Sequence, residues 1–280
     1  MSDEPGPSEL RQTFDRSAAG YQAARPDYPP ALYDALIELT GVDATSRLLE
    51  VGCATGKATL PLARRGFRIT AVELGPALAE AATVNLAPYP QVTVEQAAFE
   101  AWPNRGRDGY DLVFAATSWH WLDAAVRYRR AFDLLKPDGH LAFWSAMHVF
   151  PADGDPFFTE IQDVYQEIGA SKPGDDRQPR PGQLPDQRAE ILASNLFGSV
   201  VVREFDWELD YTAEQYLALL DTFSGHLAMA EADRARLYSE IRRRIAVRPS
   251  GTVRRGWGAV LHVATRLSAG NADNGNGVPH

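Results

Sequence analysis

The 280-residue sequence predicts an α/β fold with a doubly wound, mostly parallel seven-stranded sheet and helices on both faces. From residue 31 to 147, short apolar runs alternate with amphipathic stretches, which indicates right-handed crossovers between parallel strands. A loop of small residues follows the first run, where open sheets of this type bind ligands. The final run, 252–266, is expected as an antiparallel strand. Together these features predict a Rossmann-like architecture.

Each element has its own local signal. The expected helices cover about 57–65, 76–87 and 123–135, and KPDGH predicts a helix stop followed by a tight turn, since Pro137 cannot continue a helix and Gly139 tolerates a positive φ. Residues 150–195 are loop-rich around a short helical stretch, 156–169, and two helices are expected at about 212–224 and 231–246. The strand candidates are RLLEVGC (47–53), RITAVEL (68–74), VTVEQAA (92–98), YDLVFAATS (110–118), GHLAFWSA (139–146), VVREFDWELDY (201–211) and TVRRGWGAVLHVATR (252–266).

Composition excludes several classes of function. The net charge of −9 disfavours non-specific nucleic-acid binding, which requires a positive surface. Cys53 is the only cysteine, which excludes an intramolecular disulfide and a cysteine-built zinc site. The histidines are scattered, so no metal is expected. The acidic N-terminus lacks the pattern of a secretory signal and no run is long enough for a membrane span, so we expect a cytoplasmic protein without membrane partners.

The loop after the first strand distinguishes between ligands. A dinucleotide fingerprint, G-x-G-x-x-G, would place its third small residue at Lys57, whose bulk opposes the approach of a pyrophosphate. The spacing of Gly52, Ala54 and Gly56 instead suits a ligand without phosphates, which counts against NAD. Glu73, about twenty residues further on, can accept hydrogen bonds from both hydroxyls of a ribose. That carboxylate indicates a nucleoside without specifying which, and a surface carboxylate is the alternative.

LLEVGCATGKAT resembles motif I of the class I S-adenosylmethionine-dependent methyltransferases. AVELGPALAEAA, QAAFEAW, YDLVFAATSWHWLD and LLKPDGHLAFW resemble the family's later motifs in the same order, and the resemblance covers about residues 10–147. YQAARPDYP (21–29) and SWHW (118–121) make the chain similar to the small-molecule branch that contains methyltransferase type 11 and trans-aconitate methyltransferase-like enzymes. Ala54 stands where the family usually has glycine, which predicts an altered loop or affinity.

The resemblance implies S-adenosylmethionine as cofactor and S-adenosylhomocysteine as product. In this interpretation Ala98, Phe99 and Glu100 clamp the adenine, and Glu50 orients the loop or holds the methionine ammonium. Arg25 pairs with a carboxylate of cofactor or substrate, or else belongs to an arm packed on the sheet. The implied cofactor-binding residues are Tyr21, Arg25, Glu50, Gly52, Cys53, Ala54, Gly56, Glu73, Leu74, Ala98, Phe99, Glu100 and Thr117.

SWHW is expected at the crevice where the fourth strand ends, rather than in the core. His120 is the candidate catalytic residue, as a general base, although it can equally shape the pocket alone. An ionised carboxylate acceptor needs no base, only positioning and exclusion of water. Trp119 or Trp121 can wall the sulfonium by cation–π contact. The expected substrate pocket consists of Tyr28, Trp119, Trp121 and Trp144.

The sequence therefore predicts a bacterial, cytoplasmic methyltransferase that transfers a methyl group to the oxygen, nitrogen or carbon of a small, carboxylated or otherwise polar molecule. Arg254 and Arg255 can attract an anionic acceptor, although one of them is expected to face solvent. A nicotinamide-dependent oxidoreductase and a non-catalytic S-adenosylmethionine-binding protein stay open, as do a monomer and a homodimer. The expected division is an N-terminal arm or lid (1–30), the cofactor-binding core (31–147), a substrate cap (148–200), the rest of the sheet with acceptor-pocket helices (201–267) and a disordered tail (268–280).

Overall fold

The computed structural model describes residues 24–103, 108–170 and 179–268, and its chain divides into two compact units. One, here called the sheet unit, consists of Pro29–Ser145, Asp186–Arg203 and Val260–His280. The other, here called the helical unit, consists of Met1–Tyr28, Ala146–Pro185 and Glu204–Ala259. Tyr21, most of the predicted arm and most of the predicted tail lie outside the described residues.

The strands, in chain order, are β1 (Arg47–Val51), β2 (Arg68–Glu73), β3 (Val92–Gln96), β4 (Tyr110–Ala116), β5 (Leu135–Trp144), β6 (Ala146–His148), β7 (Phe197–Thr212) and β8 (Thr252–Arg266). The helices are α1 (Pro30–Thr40), α2 (Thr59–Arg64), α3 (Pro76–Leu86), α4 (Arg127–Leu134), α5 (Phe157–Glu160), α6 (Gln162–Glu167), α7 (Arg188–Ala193), α8 (Ala213–Leu220), α9 (Ser224–Leu227) and α10 (Glu231–Ala246). A 3₁₀ turn covers Trp119–Trp121.

The sheet unit is built on the strand order β3-β2-β1-β4-β5-β8, and β7 also pairs with β8. Strands β1 to β5 pair in parallel, whereas β8 runs antiparallel to β5. Nearly every residue of β1 and β4 is buried, as expected of parallel strands covered on both faces. The predicted α/β class, the mostly parallel sheet and the antiparallel last strand are thereby confirmed, but the described sheet has eight strands rather than the seven predicted, because the short strand β6 was not expected.

Helices of the sheet unit begin and end where local chemistry allows. Helix α1 has Pro30 at its first position and ends at Gly41, which adopts a left-handed φ of 65°. Its buried residues Leu32, Tyr33 and Leu36 lie on one face, at helical spacing. The tight turn predicted at KPDGH lies inside β5, where the pairing with β4 shifts register, and Asp138 rather than Gly139 takes a positive φ there, 61°. Aspartate tolerates this conformation better than most residues.

The helical unit has its own apolar core. The capping box of Thr212 and Gln215 fixes the start of α8, and α8 and α10 bury leucine and isoleucine side chains against aromatic residues of α5 and β8. Strand β6 pairs antiparallel with residues 257–259 of β8. None of the described helices combines the length and apolar character that a membrane span requires.

Candidate functional site

The loop after β1 bends sharply against the loop after β4. Gly52 has a φ of 68°, and a Cβ at this position would lie 2.6 Å from the Cβ of Ser118. The Ser118 hydroxyl donates to the carbonyl of Val51 at 2.5 Å, and the Gly52 amide donates to the carbonyl of Val72 at 2.8 Å. Glycine is therefore required here because two segments of the chain meet without space for a side chain.

Gly56 has a second packing requirement. Its φ is 84°, and an added Cβ would approach the Leu86 Cδ1 atom, at the end of α3, to 2.8 Å. The Gly56 amide closes a turn by donating to the Cys53 carbonyl at 2.8 Å. The two glycines thus bring the loop close to β4 and α3, in addition to any approach they allow a ligand.

The carboxylate of Glu73 joins the loops that follow β1 and β2. The Ala54 amide donates to its Oε2 atom at 2.8 Å, and the Gly75 amide donates to Oε1 at 2.9 Å. Each carboxylate oxygen has further acceptor capacity, and the side chain retains 8% exposure. Ala54 adopts a φ of 49°, which costs an alanine roughly 1–2 kcal/mol relative to ordinary backbone. The departure from glycine at this position therefore strains the loop without closing it.

Glu50 is a buried acid beneath the loop. Its side chain is 1% exposed, and the Thr59 hydroxyl at the start of α2 donates to its Oε2 atom at 2.5 Å. Burial raises the pKa of Glu50 to about 8, against the lowering effect of the Thr59 hydrogen bond and with a further rise from the charge of Glu73. Glu50 is therefore largely protonated at neutral pH. A cation brought beside it would favour the ionised form.

Cys53 packs as a small apolar residue. Its side chain is 3% exposed and contacts a cluster that contains Ala71, Ala82 and Leu86. Burial, followed by the charges of Glu50 and Glu73, raises the pKa of the thiol well above its ordinary value. A thiol held protonated in this way is unsuited to nucleophilic chemistry.

The residues that follow β2 and β3 differ in their exposure. Leu74, directly after Glu73, is 40% exposed, whereas Phe99 is 3% exposed and packs in the main core. The expectation that Phe99 offers its ring face to an adenine is therefore not supported. Ala98 and Glu100 are partly buried, and a Glu100 carboxylate oxygen accepts from the Asp123 amide at 3.3 Å.

The turn after β4 corrects one prediction. Thr117 adopts a positive φ of 56° and its amide donates to the Trp144 carbonyl at 2.7 Å. Trp119 follows with 1% exposure, stacked on Phe143 with 5.2 Å between ring centroids. The prediction that Trp119 lies at the crevice is wrong, because its large apolar ring is buried in the core.

Trp144 is likewise a core residue. Its ring is 1% exposed, stacks on Phe114 at 5.8 Å and meets the ring of Tyr33 edge-on at 6.1 Å. Trp144 therefore offers almost no exposed surface for the predicted contact with a substrate. Its position at the end of β5 places it among the apolar side chains that stabilise the sheet unit.

His120 and Trp121 are the members of SWHW that face outward. His120 is exposed, Trp121 is partly buried, and their ring centroids are 4.8 Å apart. Crowding by neighbouring protein atoms, followed by the positive charge of Arg127, lowers the pKa of His120 below its ordinary value. The imidazole is therefore neutral near pH 7 and can accept a proton or a hydrogen bond.

Arg25 and Tyr28 belong to the helical unit, and the structure gives Arg25 partners there. Its Nη2 atom donates to the Thr222 carbonyl at 3.0 Å, and its guanidinium carbon lies 4.2 Å from the centroid of the Phe223 ring. Tyr28 is partly buried. The predicted contact of Arg25 with a cofactor carboxylate stays a prediction.

The structure thus brings together Gly52, Ala54, Gly56, Glu73 and Glu50 at one end of β1 and β2. Sequence reasoning missed Thr59 as the partner of Glu50 and Ser118 as the residue that excludes a side chain at Gly52. A carboxylate held by two backbone donors, an exposed leucine beside it and a buried acid fit a nucleoside that also carries positive charge. Among the described residues, no cluster of three or more His, Cys, Asp or Glu side chains is arranged to hold a metal ion.

This sheet and loop geometry is typical of nucleoside-binding α/β enzymes, and comparison with known proteins identifies the class. Residues 48–139 match the methyltransferase domain family. An uncharacterized methyltransferase-like protein of Schizosaccharomyces pombe is 26% identical over 82% of this chain and 84% of its own length. A Saccharomyces cerevisiae protein described as an S-adenosylmethionine-dependent methyltransferase is 27% identical over 60% of this chain and 56% of its own length.

Solved structures agree with the fold. A structure from Anaeromyxobacter dehalogenans, described as a type II methyltransferase, superposes with a TM-score of 0.63 at 21% identity, over 86% of this chain and 97% of that one. These comparisons identify an S-adenosylmethionine-dependent methyltransferase with a methyltransferase domain over residues 48–139 and with S-adenosylmethionine as its cofactor. The predicted family and cofactor are confirmed, in agreement with the loop spacing that counts against NAD.

Proposed function

We propose that this methyltransferase acts on a small organic molecule that carries a carboxylate, and that it does not act on nucleic acid. The observation that supports this most is the combination of an acidic chain, net charge −9, with a neutral imidazole and a tryptophan at the end of β4. A polyanionic acceptor would be repelled by such a chain, whereas a small acid requires only a local site. We also propose that the protein is located in the cytoplasm of a bacterium.

When bound, S-adenosylmethionine supplies an electrophilic methyl group on a positively charged sulfur. Glu73 is proposed to accept the ribose hydroxyls, because its two oxygens are already oriented by the amides of Ala54 and Gly75. Leu74 would cover the adenine, and the segment of Ala98 and Glu100 would contact the ring edge.

Glu50 is proposed to respond to the positive charge of the cofactor from beneath the loop. It is protonated at neutral pH and its carboxyl is fixed by Thr59. Ionisation beside a cation would then stabilise the bound state, and binding would release a proton.

His120 and Trp121 are proposed to line the acceptor side. A carboxylate acceptor is already ionised at neutral pH, so His120 would position it and help to exclude water rather than remove a proton. A hydroxyl or amine acceptor would instead need His120 as a general base.

The test uses S-adenosylmethionine labelled with tritium in its methyl group, with separate pools of small organic acids, small amines, RNA and DNA. Methyl esters are hydrolysed by mild alkali and release volatile labelled methanol, whereas N- and C-methyl products do not. We expect volatile label from the acid pool alone. Stable label in the amine pool, or label in nucleic acid, would contradict the proposal.

A pair of variants tests the cofactor side. Glu73→Gln removes one acceptor oxygen and the charge, so we expect the affinity for S-adenosylhomocysteine to fall about 10-fold or more, in line with hydrogen bonds to charged groups. Glu80→Gln, an exposed position on α3, is the matched control and should bind like the unmodified protein. Equal affinity in the two variants would exclude Glu73 from the cofactor site.

A further inference from the structure

The helical unit buries one cation, Arg255, that has no ion-pair partner among the described residues. Arg255, on β8, is 4% exposed, and within residues 24–103, 108–170 and 179–268 no carboxylate forms an ion pair with it. Its Nε atom is buried without a hydrogen-bond partner among these residues. Buried charges in proteins are ordinarily paired, because an isolated one loses its hydration without compensation.

Two phenyl rings lie close to the Arg255 guanidinium, but among the described residues its buried Nε atom has no hydrogen-bond acceptor. The centroids of the Phe150 and Phe158 rings each lie 4.2 Å from the guanidinium carbon, which is the geometry of a cation–π contact. Such contacts involve the face of the aromatic ring and supply no lone-pair acceptor, whereas the guanidinium N–H donors still need hydrogen-bond acceptors.

Among the described residues, the groups that interact electrostatically with Arg255 are tyrosine phenols and the His148 imidazole. The charged form of His148 is disfavoured first by burial and then by the charges of Arg255, Arg25 and His226, which lowers the pKa of His148 well below its ordinary value. The phenols are those of Tyr216, Tyr165 and Tyr211, which are neutral at pH 7. Arg255 is therefore a buried positive charge with which no carboxylate of the described residues forms an ion pair.

Two further buried nitrogens lack partners near the same aromatic wall. The His148 ring lies 4.3 Å from the Trp257 ring, and the Trp207 ring stacks on Trp257 at 6.3 Å. In the described part of the chain neither His148 Nε2 nor Trp207 Nε1 has a hydrogen-bond partner. An unpaired cation, unpaired nitrogens and a wall of indole and phenyl rings together match an anion with an apolar body.

Arg254, next to Arg255 on β8, has the carboxylate partner that Arg255 lacks among the described residues. Arg254 is exposed, its Nε atom lies 3.6 Å from a carboxylate oxygen of Glu208, and its Nη2 atom donates to the carbonyl of Asp153 at 3.3 Å. Consecutive strand residues point to opposite faces. Arg254 therefore faces solvent, where it pairs with Glu208, whereas Arg255 is buried and has no carboxylate partner among the described residues.

We propose that the helical unit binds the carboxylate of an apolar, aromatic organic acid, with the Arg255 guanidinium as its fork-shaped partner. The aromatic wall of Trp257, Trp207 and Phe150 would accommodate the body of the acid. That this acid is the methyl acceptor rests on the function proposed above, whereas the anion site itself does not.

The test is calorimetric titration of the full chain with benzoate and phenylacetate, each compared with its neutral amide. We expect both acids to bind at least 10-fold more tightly than their amides. Arg255→Met should abolish that preference, and Arg255→Lys, which keeps the charge but loses the fork, should retain part of it. Arg254→Met is the matched control and should behave like the unmodified protein.

Titration of every variant with S-adenosylhomocysteine keeps the two proposals separate. Retained binding in Arg255→Met would show that the chain is folded, and Arg255→Lys serves if the methionine variant does not fold. Equal affinity for acids and amides, absence of binding by both acids, or undiminished benzoate binding in Arg255→Met would overturn the anion site. Acid binding through Arg255 without transfer of label to any acid would leave the site standing and overturn its role in methyl transfer.

Discussion

Replacement of Gly52 by alanine tests whether the loop after β1 is shaped by packing against the loop after β4. The new Cβ would lie 2.6 Å from the Ser118 Cβ and 3.0 Å from its Oγ atom, so either segment must move. Movement of Ser118 would also break its hydrogen bond to the Val51 carbonyl. The variant should therefore lose stability and weaken cofactor binding together.

The loss of folding stability expected in Gly52→Ala has two contributions. A left-handed φ costs an alanine roughly 1–2 kcal/mol, partly offset by the lower entropy of its unfolded chain, about 0.4–1 kcal/mol. Overpacking against Ser118 adds about 1–3 kcal/mol. Gly66→Ala isolates the first contribution, because Gly66 has a φ of 87° and no atom within 4 Å of an added Cβ.

Urea unfolding of both variants measures the difference directly. Gly52→Ala should be about 1–3 kcal/mol less stable than Gly66→Ala, since conformational and unfolded-state effects are common to both. In parallel titrations, Gly66→Ala should bind S-adenosylhomocysteine like the unmodified protein and Gly52→Ala should bind more weakly. Equal stability and equal affinity in the two variants would refute the packing explanation.

Two further predictions concern titratable groups. Because the pKa of Glu50 is raised to about 8 on folding, the folded state binds the extra proton between the unfolded pKa and pH 8, and stability falls as pH rises through that window. Glu50→Gln should remove this loss and raise the free energy of unfolding at pH 7 by up to about 3 kcal/mol, with a flatter profile from pH 5 to 8 in chemical denaturation. His120→Ala should retain S-adenosylhomocysteine affinity and, with a carboxylate acceptor, lower kcat less than about 10-fold. A loss of about 10²–10⁴-fold would instead mark His120 as a general base.

Much of the fold follows from local patterns. The bounds of α10 and β8 agree with the periodicity because their hydrophobic spacing is clear over fifteen or more residues. Helix α7 and strand β6 escaped prediction because they are short and lie in or beside Pro- and Asp-rich stretches that read as loop. Within β5, where the pairing with β4 shifts register, the positive φ falls on Asp138 rather than Gly139; aspartate and glycine both tolerate this conformation, so the local sequence does not decide between them.

The sequence predicts the position of the candidate site in the fold, because an acidic residue and a run of small residues have recognisable spacing. Glu73 and the small-residue loop could be placed from spacing alone, but the direction of a side chain could not. Trp119 and Trp144 suggest a pocket by composition, yet both are buried in the core. The contact that requires Gly52 comes from Ser118, 66 positions further along the chain, and no local pattern reports it. Local sequence likewise does not report which of Arg254 and Arg255 is buried, because this depends on which face of β8 packs against the core.

We propose that the loops after β1 and β2 hold S-adenosylmethionine. Calorimetric titration of the full chain with S-adenosylmethionine, S-adenosylhomocysteine and NAD, side by side, tests it most directly. We expect both sulfur nucleosides to bind, Glu73→Gln to weaken them, and NAD to give no heat of binding. Binding of NAD alone, or silence of both sulfur nucleosides, would contradict the account.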